Sequence, residues 1–127
     1  MTADTGVKEL VRRYFAAVND ECWDDVLALF SEDASLYVPS VRPKHGKERI
    51  RRFYEDIATR FVRHETTIVF LIAEGDCAAA TVRYQGIAAD GQPVVTYATD
   101  TFTCEAEQIR ELRIVFDTAD FQGGDRQ

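Results

Sequence analysis

Apolar residues in the first half of the chain recur at steps of three and four. Val7, Leu10, Val11, Tyr14, Phe15 and Val18 form one stripe, which predicts an amphipathic helix. Asp4 or Thr5 can cap its start, and Asn19-Asp20 can end it. A short second helix is expected in "CWDDVLALF", with Trp23, Val26, Leu27 and Phe30 on one side. "SEDA" then turns the chain into a strand at "SLYV". After a loop, a third helix is expected from about Lys47 to Phe61, with Ile50, Phe53, Tyr54, Ile57 and Phe61 as its stripe.

The second half changes period. "HETTIVFLIAEG" is β-branched and ends at a glycine turn, and "CAAATVRYQGIA" follows. "ADGQP" marks a corner at Asp90-Gly91, and "VVTYATDTFTCE" and "QIRELRIVFD" complete four consecutive segments. Their short connections predict antiparallel pairing. Helices followed by a meander imply an α+β fold, with three N-terminal helices on one face of a curved sheet. The concave side of such a sheet is a common place for a small-molecule pocket.

Strand and helix geometry then sorts the polar residues. In "VVTYATDTFTCE", Thr96, Ala98, Asp100 and Phe102 share one face, and Tyr97, Thr99, Thr101 and Thr103 the other. Asp100 is the only acid on its face. Ionised in apolar surroundings it would be costly, so it is protonated, paired, at a site mouth, or on a face open to water. Tyr14 and Tyr54 lie on the apolar stripes of the first and third helices, where a buried phenol needs a partner for its hydroxyl. Two core tyrosines bonded to backbone would satisfy that need. Converging with Asp100 in a cavity, they could instead form an oxyanion hole.

Composition narrows the function classes. The 127 residues fit a single domain over 1–127, with the polar tail 122–127 expected to fray. A net charge of −7 disfavours a nucleic-acid partner, and the basic cluster "VRPKHGKERIRR" reads as a solvated surface. No apolar run approaches the length of a membrane span. Three cysteines without short spacing, and a first segment without an apolar core, point to a cytoplasmic protein. The two histidines are far apart, no nucleotide-binding glycine motif occurs, and no metal or cofactor is expected.

The blocks "VRRYFAAVNDECWDDVLALFSEDASLYVP" and "HGKERIRRFY" resemble the NTF2-like superfamily, and within it the ketosteroid isomerase and SnoaL-like cyclase branch. The resemblance implies a cone-shaped sheet wrapped on three helices, a deep apolar pocket, a small apolar cyclic ligand and a homodimer. "RRYFAAVN" at Tyr14 is similar to the segment bearing the isomerases' first-helix tyrosine. Phe53-Tyr54 matches their supporting tyrosine, and Asp100, two residues before Phe102, matches their protonated acid. The resemblance thus implies enolate stabilisation by Tyr14, Asp100 and Tyr54. The pocket would be lined by Phe30, Val38, Phe53, Val82 and Tyr84, and on the late strands by Phe102, Leu112, Ile114 and Phe116. The isomerases' general base, an aspartate before the proline ending the first strand, is replaced here by Val38 in "LYVPS".

A substitute base has two candidates. Asp117 ends the last strand; strict parity points it outward, although a bulge or the strand's end could turn it in. His45, in the loop beside Gly46, titrates near neutrality and could sit at the pocket mouth. His64 beside Glu65 reads as structural or solvated, and Asp120 as part of the tail. A carrier or dimerising module of the same fold, and a dehydratase or epoxide-opening cyclase, remain open alternatives.

Overall fold

A computed structural model describes residues 3–121. Helix α1 spans Ala3–Asn19, so Asp4 and Thr5 lie inside its first turn rather than ahead of it. Its stripe faces the core: Val7, Leu10, Val11, Tyr14 and Phe15 are buried. The helix stops as expected at Asn19. Glu21 follows in the left-handed region at φ 55°, and the Glu21 and Cys22 N–H groups donate back to the Val18 and Ala17 carbonyls. The Asn19 side chain bonds both backbone groups of Thr66, at 2.8 and 2.9 Å, and fastens the end of α1 to the sheet.

Helix α2 (Trp23–Ala28) and helix α3 (Lys47–Ala58) are both shorter than the pattern implied. Phe30 opens strand β1 (Phe30–Tyr37) and Phe61 opens strand β3 (Phe61–Glu74). "SEDA" is therefore strand, not turn. Residues 31–34 span a register shift between the Phe30–Ile109 and Ser35–Glu111 pairs, so distant pairing on either side, which local residue preference does not register, carries the strand through them. A two-residue strand β2 (Lys44–His45) occupies what reads as loop. The meander follows as expected in β4 (Cys77–Ala88), β5 (Pro93–Glu105) and β6 (Gln108–Phe116), closed by a 3-10 turn at Thr118–Phe121. Asp90 and Gly91 make the β4–β5 corner. Gly91 has φ +90°, and the Asp90 carboxylate accepts the Gln92 N–H at 3.0 Å.

The six strands form one sheet in the order β2-β1-β6-β5-β4-β3. Pairing is antiparallel except between β1 and β6, which run parallel with Leu36 opposite Leu112. The fold is α+β: three helices against a curved, unclosed mixed sheet. In β5 burial alternates without a break, with Val94, Thr96, Ala98, Asp100, Phe102 and Cys104 all inward. The outer face keeps Phe70, Ile72, Val95, Tyr97 and Val115 exposed. Residues 122–127, expected to fray, lie outside the described residues.

Candidate active site

Between the helices and the concave face lies a cavity of about 560 Å³, within the range of small-molecule sites. Tyr14 and Tyr54 enter from α1 and α3, Asp100 from β5, and Val38 from the end of β1. Tyr14 is 2% exposed and its ring meets those of Phe15, Phe30, Tyr54 and Phe102 edge-on. These contacts hold one orientation, and in it the Tyr14 hydroxyl is hydrogen-bonded to that of Tyr54. Trp23 stacks on Tyr54 at 5.6 Å and fixes the second phenol.

Asp100 is 3% exposed. Its cross-strand neighbours are Ala80 and Ile114, and its same-face neighbours Ala98 and Phe102, none of which can pair with a charge. Oδ1 has no hydrogen-bond partner among the described residues. Desolvation pushes its pKa up to about 8, so the carboxyl is mostly protonated at neutral pH. Burial raises Tyr14 well above the ordinary phenol value, reinforced by Tyr54 and Asp100, and also raises Tyr54. Three neutral hydroxyl-bearing groups therefore face one apolar space, and each has a proton to donate in a hydrogen bond.

The remaining expected positions divide. Val38, Phe53, Val82, Tyr84, Ile114 and Phe116 line the cavity. Phe30, Phe102 and Leu112 do not. Their parity is inward, but they lie in the packed core, and for the two phenylalanines the aromatic side chains of α1 cover them, Tyr14 being 5.4 Å from Phe102. Asp117 is exposed and accepts the Ala119 N–H at 2.9 Å; no bulge turns it inward. His45 is exposed too, bonded through Nδ1 to Ser35 Oγ at 2.8 Å, away from the cavity wall. Neither candidate base reaches the site.

His64, expected to be structural or solvated, and Asp120, expected in the tail, both bear on the cavity wall. His64 lines the cavity, its side chain only 6% exposed, with Nε2 bonded to Glu21 Oε2 at 2.7 Å. The signal was available: His64, Thr66 and Ile68 share the inward parity of β3. Asp120 accepts a hydrogen bond from the cavity-lining Thr96 hydroxyl and ties the 3-10 turn to β5. The basic run behaves as a solvated surface, with Arg51 paired to Asp24 and Arg52 to Glu48. Among the described residues no group of His, Cys, Asp and Glu could hold a metal, and no helix is long and apolar enough to cross a membrane.

A buried acid and two phenols on a curved sheet are what the sequence resemblance implied, and in family and fold the comparisons agree with that resemblance. Residues 11–112 match the SnoaL-like domain. The chain belongs to the SnoaL-like family. Within that NTF2-like superfamily, a candidate polyketide cyclase from Pseudomonas putida is 27% identical, with 95% of this chain and 96% of that one covered and a TM-score of 0.83. An LEH-like epoxide hydrolase from M. tuberculosis is 20% identical over 92% and 86%, with a TM-score of 0.80. A candidate ketosteroid isomerase from Kribbella flavida is 20% identical over 92% and 82%, with a TM-score of 0.78. No curated protein matches the chain. Three reaction names on one SnoaL-like architecture mean that the fold does not choose the chemistry; the side chains in the cavity must.

Proposed function

We propose that this SnoaL-like protein is an enzyme that binds a small apolar cyclic ketone, steroid- or polyketide-like, and stabilises its enolate during isomerisation or cyclisation. The observation that carries the reading is the bonded Tyr14–Tyr54 hydroxyl pair sharing a cavity with Asp100, whose buried Oδ1 has no partner among the described residues. Tyr54 donates to Tyr14, and Tyr14 and Asp100 donate to the ketone oxygen. As the proton leaves the adjacent carbon, charge gathers on that oxygen. Donors already in place then stabilise the transition state more than the ground state. Val38 cannot accept the proton, so water or a basic group of the substrate takes it.

A fused-ring phenol tests the oxyanion hole. 2-Naphthol should bind with its ionised form favoured, as read by fluorescence, and affinity should fall tenfold or more in Asp100→Asn and in Tyr14→Phe. Absence of binding, or binding blind to both substitutions, removes the reading. Val38 on the cavity wall favours one alternative, a carrier of hydrophobic ligands without turnover. A ligand that co-purifies unchanged, with no reaction on cyclic ketones, would favour the carrier. The exposed apolar outer face, Phe70, Ile72, Tyr97 and Val115, supports a homodimer joined through the sheet.

A further inference from the structure

The cavity wall carries a second polar arrangement that enolate stabilisation does not use. His64 lies opposite Gly86 on β4, whereas Asp100 lies opposite Ala80. The six residue steps from one partner to the other are about 20 Å of strand contour at ~3.3 Å per residue, and the curl of the sheet shortens that span across the cavity. His64 Nε2 is bonded to Glu21 Oε2 at 2.7 Å. A carboxylate only accepts, so Nε2 donates this hydrogen bond and Nδ1 is the ring nitrogen left for another partner. Nδ1 is buried with no partner among the described residues. The ring stacks on Tyr84 at 5.9 Å and 15°, and both residues line the cavity.

Anchoring the helix end does not account for this pair. Asn19 already ties α1 to Thr66 with two hydrogen bonds. Glu21 occupies a left-handed position at φ 55°, where glycine is the usual residue and another side chain is disfavoured. A helix stop alone would be better served by glycine. Gly86 adds to the local constraint: a Cβ there would lie 2.6 Å from the Arg63 carbonyl and 3.3 Å from His64 Cβ. A disfavoured backbone conformation and an orphaned imidazole nitrogen, both serving one stretch of cavity wall, mark a recognition point.

We propose that His64, oriented by Glu21, accepts a hydrogen bond from a hydroxyl at the far end of the ligand. The ligand is then an elongated, several-ring molecule with an alcohol or phenol remote from its reacting carbonyl. This rests on the enolate reading for the near end of the site only. Nδ1 is buried in the unliganded chain, so a side chain of the wall has to shift for the hydroxyl to reach it in the ring plane. A carbonyl at the same place brings no proton and gains nothing from Nδ1.

Estradiol and estrone separate the two cases, since they share a phenol and differ in a far-end hydroxyl against a carbonyl. Fluorescence titration at pH 7 should show estradiol bound about five- to tenfold more tightly than estrone, as one net hydrogen bond provides. The preference should collapse towards one in His64→Phe and fall at least twofold in Glu21→Gln, with circular dichroism checking the fold of each. Glu21 is half-exposed, so its variant carries the test if His64→Phe does not fold. No estradiol binding, equal affinities in the unaltered protein, or a preference unchanged in a folded variant overturns the proposal. The near-end reading is judged separately by 2-naphthol and Asp100→Asn, and a merely structural His64 would lower stability without moving the estradiol-to-estrone ratio.

Discussion

Asp100→Asn should change the pH dependence of stability in a defined way. In the unfolded chain an aspartate titrates near 3.9; in the fold, burial moves Asp100 up to about 8. Below the unfolded value both states are protonated, and the acid contributes no pH-dependent term. Between the two values the native state holds a proton that the unfolded chain has released, so stability falls as pH rises. The slope is about 1.4 kcal/mol per pH unit for one proton. The full interval corresponds to roughly 6 kcal/mol, a ceiling comparable with the whole stability of a small domain, about 5–15 kcal/mol. Asparagine is neutral throughout and nearly isosteric, so the variant lacks this slope and carries only a constant offset from its amide. Urea unfolding at pH 5, 6, 7, 8 and 9, followed by circular dichroism, should show the variant gaining on the unaltered protein from pH 5 towards pH 8, then running parallel to it. Parallel curves from pH 5 upward would mean that Asp100 is ionised in the fold, and would refute its description as a neutral donor.

Three further outcomes follow from other residues. Val38→Asp places a carboxylate where the resemblance puts the isomerases' base, and should raise conversion of a β,γ-unsaturated cyclic ketone to its conjugated isomer by 10²–10⁴-fold; no gain in enone absorbance would sink that correspondence. Asn19→Ala removes both bonds to the part-buried Thr66 backbone and should cost about 1–3 kcal/mol in urea unfolding; a change under 0.5 kcal/mol would show that water replaces the clamp. Tyr97→Glu, on the outer face where Tyr97 is 58% exposed, should give a monomer in sedimentation velocity while the unaltered protein sediments as a dimer; identical sedimentation of the two would remove the sheet-face interface.

The meander and the inward acid were legible because β-strand parity is rigid. Once β5 is placed, Asp100 has to share a face with Ala98 and Phe102. The helix stripes likewise placed Tyr14 and Tyr54, since an apolar stripe has one side to bury. Less could be read where a distant partner decides. Phe30 becomes strand through pairing with β6, "SEDA" through the β6 pairs on either side of it, and "KH" through pairing with β1. Parity also says which way a residue faces but not whether it meets empty space or packed atoms. Phe102 and Leu112 face inward yet are packed into the core. His64 was passed over because its neighbour Glu65 suggested a wet surface, although the alternation with Thr66 and Ile68 turned it inward. Its partner Glu21 sits on a turn far away in the chain, and no local pattern connects the two.

The parallel seam between β1 and β6 bears on how the chain folds. The strands β3 to β6 are joined by tight corners, so their pairing closes only short loops. The seam joins Phe30 to Ile109 and Leu36 to Leu112, from opposite ends of the chain, and its loop-closure entropy is correspondingly larger. The meander should therefore assemble first and β1 dock late, carrying Val38 and Pro39 onto the cavity wall in the closing step. Leu36→Ala would then speed unfolding and leave the folding rate nearly unchanged in stopped-flow measurements, and a slowed folding limb would reverse that order. On that order the cavity should be the last part of the molecule to form and the first to be lost.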